Sequence, residues 1–107
     1  MKKAILIGVQ FPNDSPKLIE ATMEELVGLA ETAQYHPIAT ISQKLTAVNP
    51  KTFIGKGKVE EVAEVVNHNS ADIVIFDDNL SPAQNKNLEN IFKCRVIDRS
   101  WLILEIF

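Results

Sequence analysis

Short continuous apolar runs and helix-spaced apolar stripes take turns along this chain. Ala4-Ile5-Leu6-Ile7 is unbroken and rich in β-branched residues, as expected of a strand covered on both faces. After the breaker Pro12-Asn13-Asp14, Ser15 can cap a helix that opens with Pro16. Leu18, Thr22, Leu26, Leu29 and Ala33 then recur at helical spacing, and the helix ends before Pro37. The segment Ile38–Leu45 alternates apolar and polar residues, which predicts a half-exposed strand near a sheet edge. Its register stays open, because Gln43 joins the polar face only if Ile38 shares that side. A loop from Thr46 to Gly57 leads to a second helix, with Val59, Val62, Ala63 and Val66 opposite Glu60, Glu61 and Glu64. Asp72-Ile73-Val74-Ile75-Phe76 is the clearest buried strand. Ser81, Pro82 and Gln84 then supply an N-cap, a first-turn proline and a capping-box glutamine for a third helix with Leu88, Ile91 and Phe92 inward. Arg95-Val96-Ile97-Asp98 is the last strand.

Strands separated by helices imply right-handed crossovers. The expected fold is α/β and three-layer-like: a mostly parallel sheet of about four strands flanked by helices, ending in a truncated C-terminal helix. A chain of 107 residues buries roughly 65% of its unfolded surface, enough for one core. Residues 1–98 form that domain. Residues 99–107 close on Trp101-Leu102-Ile103-Leu104-Glu105-Ile106-Phe107, which reads as a cut amphipathic helix belonging to a longer protein. Self-association through exposed Trp101, Leu104 and Phe107 is expected of the isolated chain.

Ligands of such sheets bind beyond the carboxyl ends of the strands, which makes Gln10, Asp77, Asp78, Asp98 and Arg99 the strand-end candidates. The plainer account of Asp77 and Asp78 is that they satisfy free N–H groups in the loop before the third helix and complement its dipole. A phosphoacceptor domain also needs an acidic pair after the first strand, and Gly8-Val9-Gln10 offers none. The lone Cys94 has no partner for a disulfide or a metal site and is expected to pack. His36 and His68 are expected to be solvated or capping. No catalytic or metal-ligating set stands out.

Net charge is −3, which does not by itself predict a nucleic-acid partner, but its distribution changes that picture. No Asp or Glu falls between Thr32 and Val59, while Lys44, Lys51, Lys56 and Lys58 all do. The last two belong to Gly55-Lys56-Gly57-Lys58, at the start of the second helix, where free N–H groups and the dipole favour an anion. These lysines, with Gly55 and Gly57, are the candidates for phosphate or RNA contact. A nucleotide-binding P-loop needs Ser or Thr after its Gly-Lys pair, and here Gly57 and Val59 follow. The dinucleotide fingerprint also fails, with Glu60 in place of its third glycine. No secretory signal opens the chain and no apolar run is long enough to span a bilayer, so a cytoplasmic protein is expected.

Three segments in register, Thr52–Glu61, Ile75–Glu89 and Val96–Phe107, resemble the amino-terminal domain of the HflX family of ribosome-associated GTPases. The resemblance implies a larger protein with a helical hairpin and a G domain that binds GTP and Mg²⁺, neither of which this chain would hold. It also implies action on the large ribosomal subunit, in splitting or rescue under stress. The leading expectation is a regulatory, ribosomal-RNA-contacting domain without catalysis of its own. A structural platform restraining the G domain comes second and an accessory ATP-binding domain third, ATP having no sequence support.

Overall fold

The computed structural model describes residues 1–107. Its elements are β1 (Lys2–Gln10), α1 (Pro16–Thr32), β2 (Tyr35–Lys44), α2 (Lys56–Asn69), β3 (Ile73–Phe76), α3 (Pro82–Phe92), β4 (Arg95–Asp98) and α4 (Arg99–Ile106). The four strands form one sheet in the order β2-β1-β3-β4, and every pairing is parallel. β1 and β3 are interior strands, so Ala4 to Val9 and all four residues of β3 are buried. That double coverage is why both segments read as unbroken apolar runs.

Two cores flank the sheet. On one face Ile5, Ile7, Val9, Val74, Phe76 and Val96 meet Val59, Val62 and Val66 of α2 and Leu88 and Phe92 of α3. On the other, Ala4, Leu6, Ile73, Ile75 and Ile97 meet Leu26 and Ala30 of α1 and Leu102 of α4. The chain turns first toward β2 and then back past β1 to β3, so right-handed crossovers put α1 on one face and α2 and α3 on the other. Gly8 leaves room for Met23 of α1 to lie over the sheet: an added Cβ would come within 2.5 Å of its Sδ and make that side chain shift.

Several expectations change in detail. β1 extends beyond Ala4–Ile7, and β2 begins at Tyr35 and runs through Pro37, because an edge strand tolerates a proline that lacks a ladder donor. The β1–β2 register shifts between Ala4 and Ile5, and the resulting irregularity lets Ile38, Ala39 and Ile41 all pack against the α2 side core. Gln43 sits opposite Val9 of that core, so it shares a side with Ile38, but the break in the alternation makes that side the apolar one. Leu18 and Ile91, expected inward, are 50% and 44% exposed. Leu18 falls in the first turn of α1 and Ile91 in the last turn of α3, beyond the flanks of the short sheet. α4 is capped by Asp98, whose carboxylate accepts from Trp101 N.

Candidate functional site

Every helix starts at the carboxyl edge of the sheet, and strand order reverses between β1 and β3, where ligands of open α/β sheets bind. Gln10 and the turn after β1 stand on one side of this switch point. Gln10 Nε2 donates to Asp14 O (3.2 Å), and Phe11 N donates to the Asp14 carboxylate (2.9 Å). Opposite lie Asp77 and Asp78. Burial raises the Asp77 carboxyl above the ordinary range, against the pull of Arg99. Burial, then Asp77, then Asp14, push Asp78 up to about 6. Asp14 is thus a member of this cluster that the sequence pattern left out, since it lies four residues past β1 inside a turn.

The other strand-end candidates are committed to the fold. Arg99 Nη1 donates to Asp77 Oδ1 (2.7 Å), and its second terminal nitrogen pairs with Glu25 of α1. Asp98 caps α4 and also accepts from Leu80 N (3.0 Å). Ser81 N donates to Gln84 Oε1 (2.9 Å), completing the capping box. The loop donors expected to fall to Asp77 and Asp78 are therefore served by Asp98 and Gln84. A carboxylate one strand over reaches them better than side chains on the loop's own first residues. Nowhere do three His, Cys, Asp or Glu side chains converge on a metal position.

The lysine-bearing stretch runs along the same edge. Lys44 ends β2, and the neighbouring Gln43 side chain accepts from Gly55 N (3.0 Å). Between them, residues 46–55 fold back on themselves: Asn49 and Phe53 exchange backbone hydrogen bonds of 3.0 and 2.8 Å. α3 holds this loop, with Gln84 Nε2 donating to Asn49 O and Asn87 Nδ2 to Lys51 O, both at 3.0 Å. Phe53 takes a left-handed φ of 64°, costly for an aromatic residue, and its ring stands edge-on to Phe76 with centroids 6.2 Å apart. The buried ring and the reciprocal backbone bonds compel that conformation.

α2 then begins without a side-chain cap, because its N-cap is Gly55. A Cβ on Gly57 would meet nothing within 4 Å, so the first turn of α2 faces open space there. Lys51 and Lys56 are exposed, as is Lys44. Lys58 is partly engaged, its Nζ 3.2 Å from Glu61 Oε2. The supports of this ledge (Gln43, Asn49, Gln84 and Asn87) carry no local pattern that would announce them, apart from Gln84 in its capping box.

The wider likeness of the chain is specific. A family profile described as GTP-binding GTPase N-terminal matches residues 20–107. GTPase HflX of Flavobacterium psychrophilum and of Escherichia coli K12 are each 40% identical over 106 residues, 99% of this chain. The chain belongs to the HflX amino-terminal family. It spans about a quarter of the length of these HflX relatives, 26% and 24% respectively. GTPase HflX of Methanocaldococcus jannaschii is 42% identical over 91 residues, covering 85% of this chain and 22% of that protein. Among solved structures, the complex of SsGBP with GDP superposes with a TM-score of 0.74 at 25% identity, over 99% of this chain and 28% of that one. A GTP-binding protein from Sulfolobus solfataricus in complex with GDP shares the fold, with a TM-score of 0.71 at 24% identity over 99% of this chain and 30% of that one. The family is a GTP-binding one, while this chain has no Ser or Thr after either Gly-Lys pair.

Proposed function

We propose that this HflX amino-terminal domain is a regulatory module that contacts ribosomal RNA of the large subunit through its carboxyl-edge ledge. GTP and Mg²⁺ are bound, and GTP hydrolysed, by the G domain of the full-length protein, which acts in the cytoplasm to split or rescue ribosomes under stress. The observation that carries the reading is the start of α2: an uncapped, open first turn with Lys56 exposed, next to a loop braced by α3 that presents Lys51. Free N–H groups and ammonium groups on a rigid support suit phosphate oxygens, and a braced loop loses little entropy on binding. Lys44 and Lys58 extend the same basic stretch, Lys58 less effectively because Glu61 competes for it.

Co-sedimentation with large ribosomal subunits across a salt series tests this. Binding is expected to fall steeply with salt, and a Lys44→Gln, Lys51→Gln, Lys56→Gln variant to show a log–log slope shallower by about 2, at about 0.7 to 0.9 per lost phosphate contact. Lys58→Gln alone is expected to change the slope less than any one of the other three. Binding that ignores salt, or an unchanged slope in the triple variant, would overturn the assignment.

A further inference from the structure

The two edges of the sheet are treated differently. β4 is only four residues long, and α3 covers its outer edge: Asn85 Nδ2 donates to Val96 O (2.8 Å) and Glu89 Oε2 accepts from Val96 N (3.1 Å). Such blocking keeps other strands away. β2 is ten residues long, pairs only with β1, and has no side chain or loop bonded to the outward N–H and C=O groups of residues 36–43. Its edge-breaking features, Pro37 and the irregularity beside it at Ile38, both lie near its start.

Charge offers no protection either. Residues 35–43 contain no Asp, Glu, Lys or Arg, whereas exposed edges are usually guarded by charged side chains. Apolar surface lies on both sides of the open edge. Ile38, Ile41 and Leu45 are half-buried at the rim of the α2 side core. On the other face a groove of about 420 Å³ runs between α1 and β2, lined by Ile19, Met23 and Val27 together with the acidic Glu20 and Glu24 of α1.

We infer that β2 is a self-pairing edge, at which two copies of this chain join their sheets antiparallel about a two-fold axis near Thr40. The strand is complementary to itself in that arrangement. Thr40 meets Thr40 and Ile41 meets Ala39, Ile38 stands out of the ladder at the irregularity, Ser42 then meets Pro37 and Gln43 meets His36, and the only full charge, Lys44, lies opposite Tyr35 at the ends. Hydroxyl-on-hydroxyl and apolar cross-strand pairs are favourable, and no like charges face each other along the shared run. The second copy also covers the half-exposed Ile38 and Ile41 and closes the groove against α1. One strand pair with its flanking side chains makes a small interface, below about 1,200 Å², so association is weak and concentration-dependent. This inference shares only Lys44 with the RNA-contact reading, which uses the carboxyl edge.

Sedimentation equilibrium of the 107-residue chain from about 5 to about 500 µM, a range chosen for an interface this small, is expected to show a monomer–dimer equilibrium. Thr40→Lys sets two ammonium groups against each other at the axis and is expected to raise the dimer dissociation constant at least tenfold, with an unchanged melting temperature at low concentration. Leu104→Glu, on exposed α4, is expected to leave the equilibrium alone. In a Cys94→Ala background, Thr40→Cys is expected to give a disulfide-linked dimer under mild oxidation, while Ser100→Cys does not. A chain monomeric throughout, with no cross-link formed by the Thr40→Cys variant, overturns the inference. So does a dimer abolished by Leu104→Glu and indifferent to Thr40→Lys, which assigns association to α4.

Discussion

At the scale of single residues, the carboxyl edge holds two carboxyls whose ionisation opposes folding, Asp77 and, with the larger shift, Asp78. Asp78 lies half-buried with Asp77 and Asp14 near it, and its carboxyl is pushed up to about 6, against about 3.9 in an unfolded chain. Arg99 answers Asp77 and Glu25 but makes no bond to Asp78. Between about pH 4 and pH 6 the folded chain holds a proton that the unfolded chain has released, so stability falls as pH rises through that window and stays at the lower level above it. Allowing for the screening of a half-exposed group, the penalty at neutral pH is about 1 kcal/mol. Asp78→Asn is expected to raise the melting temperature by about 4 to 8 °C at pH 7.5 and by much less at pH 4.5, where the folded carboxyl is already protonated. Thermal melts of both proteins at the two pH values decide it. An equal gain at both would show that the carboxylate charge is not the cause.

At the scale of elements, what could be read from the chain depended on whether the cause was local. The box at Ser81-Pro82-Ala83-Gln84 was legible because its bonds run between residues three apart, and β3 because burial on both faces leaves an unbroken apolar run. The lysine ledge was legible only as composition: the acid-free span was visible, but its bracing by Gln84 and Asn87 spans 35 and 36 residues. The Asp98 bond to Leu80 N and the Arg99 bridge to Asp77 were likewise hidden, being contacts across strands or between layers. α2 shows the consequence most plainly, because its first turn departs from what helix stability alone would choose. Gly57 has ordinary helical backbone and open space at its Cβ position, so nothing in the fold requires glycine there. Gly57→Ala is expected to stabilise the domain by about 0.5 kcal/mol, measured by urea denaturation, because it restricts the unfolded chain at no native cost. If the open turn receives phosphate oxygens, the same substitution weakens subunit binding while strengthening the fold. Stabilisation with unaltered binding would remove Gly57 from the contact surface.

For the whole molecule, the last helix is attached differently from the other three. α1, α2 and α3 each bury at least two residues, whereas the eight residues of α4 bury only Leu102. Charge makes up the difference at both ends. Arg99 joins the start of α4 to Asp77 at the end of β3 and to Glu25 of α1. Near its other end, Tyr35 OH donates to Glu105 Oε2 (2.7 Å), Arg95 Nη1 donates to that hydroxyl (3.1 Å), and Arg95 also pairs with Glu105. A helix held this way can open without the sheet, since the α2-side core takes no residue from it and the α1-side core takes only Leu102. Arg99 and Asp77 have side chains only 21% and 17% exposed, so removing the guanidinium strands a partly desolvated carboxylate. Arg99→Gln is therefore expected to cost about 1 to 2 kcal/mol, and Glu25→Gln, at a side chain that is 68% exposed, under about 0.5 kcal/mol. Native-state hydrogen exchange separates local from global loss: in Arg99→Gln the amides of Leu102–Ile106 lose about tenfold or more in protection beyond any change at Leu6 and Ile75. An equal loss across all these amides would mean that α4 and the sheet unfold together, and that the two charged clamps join one cooperative unit instead of fastening a separable helix onto it.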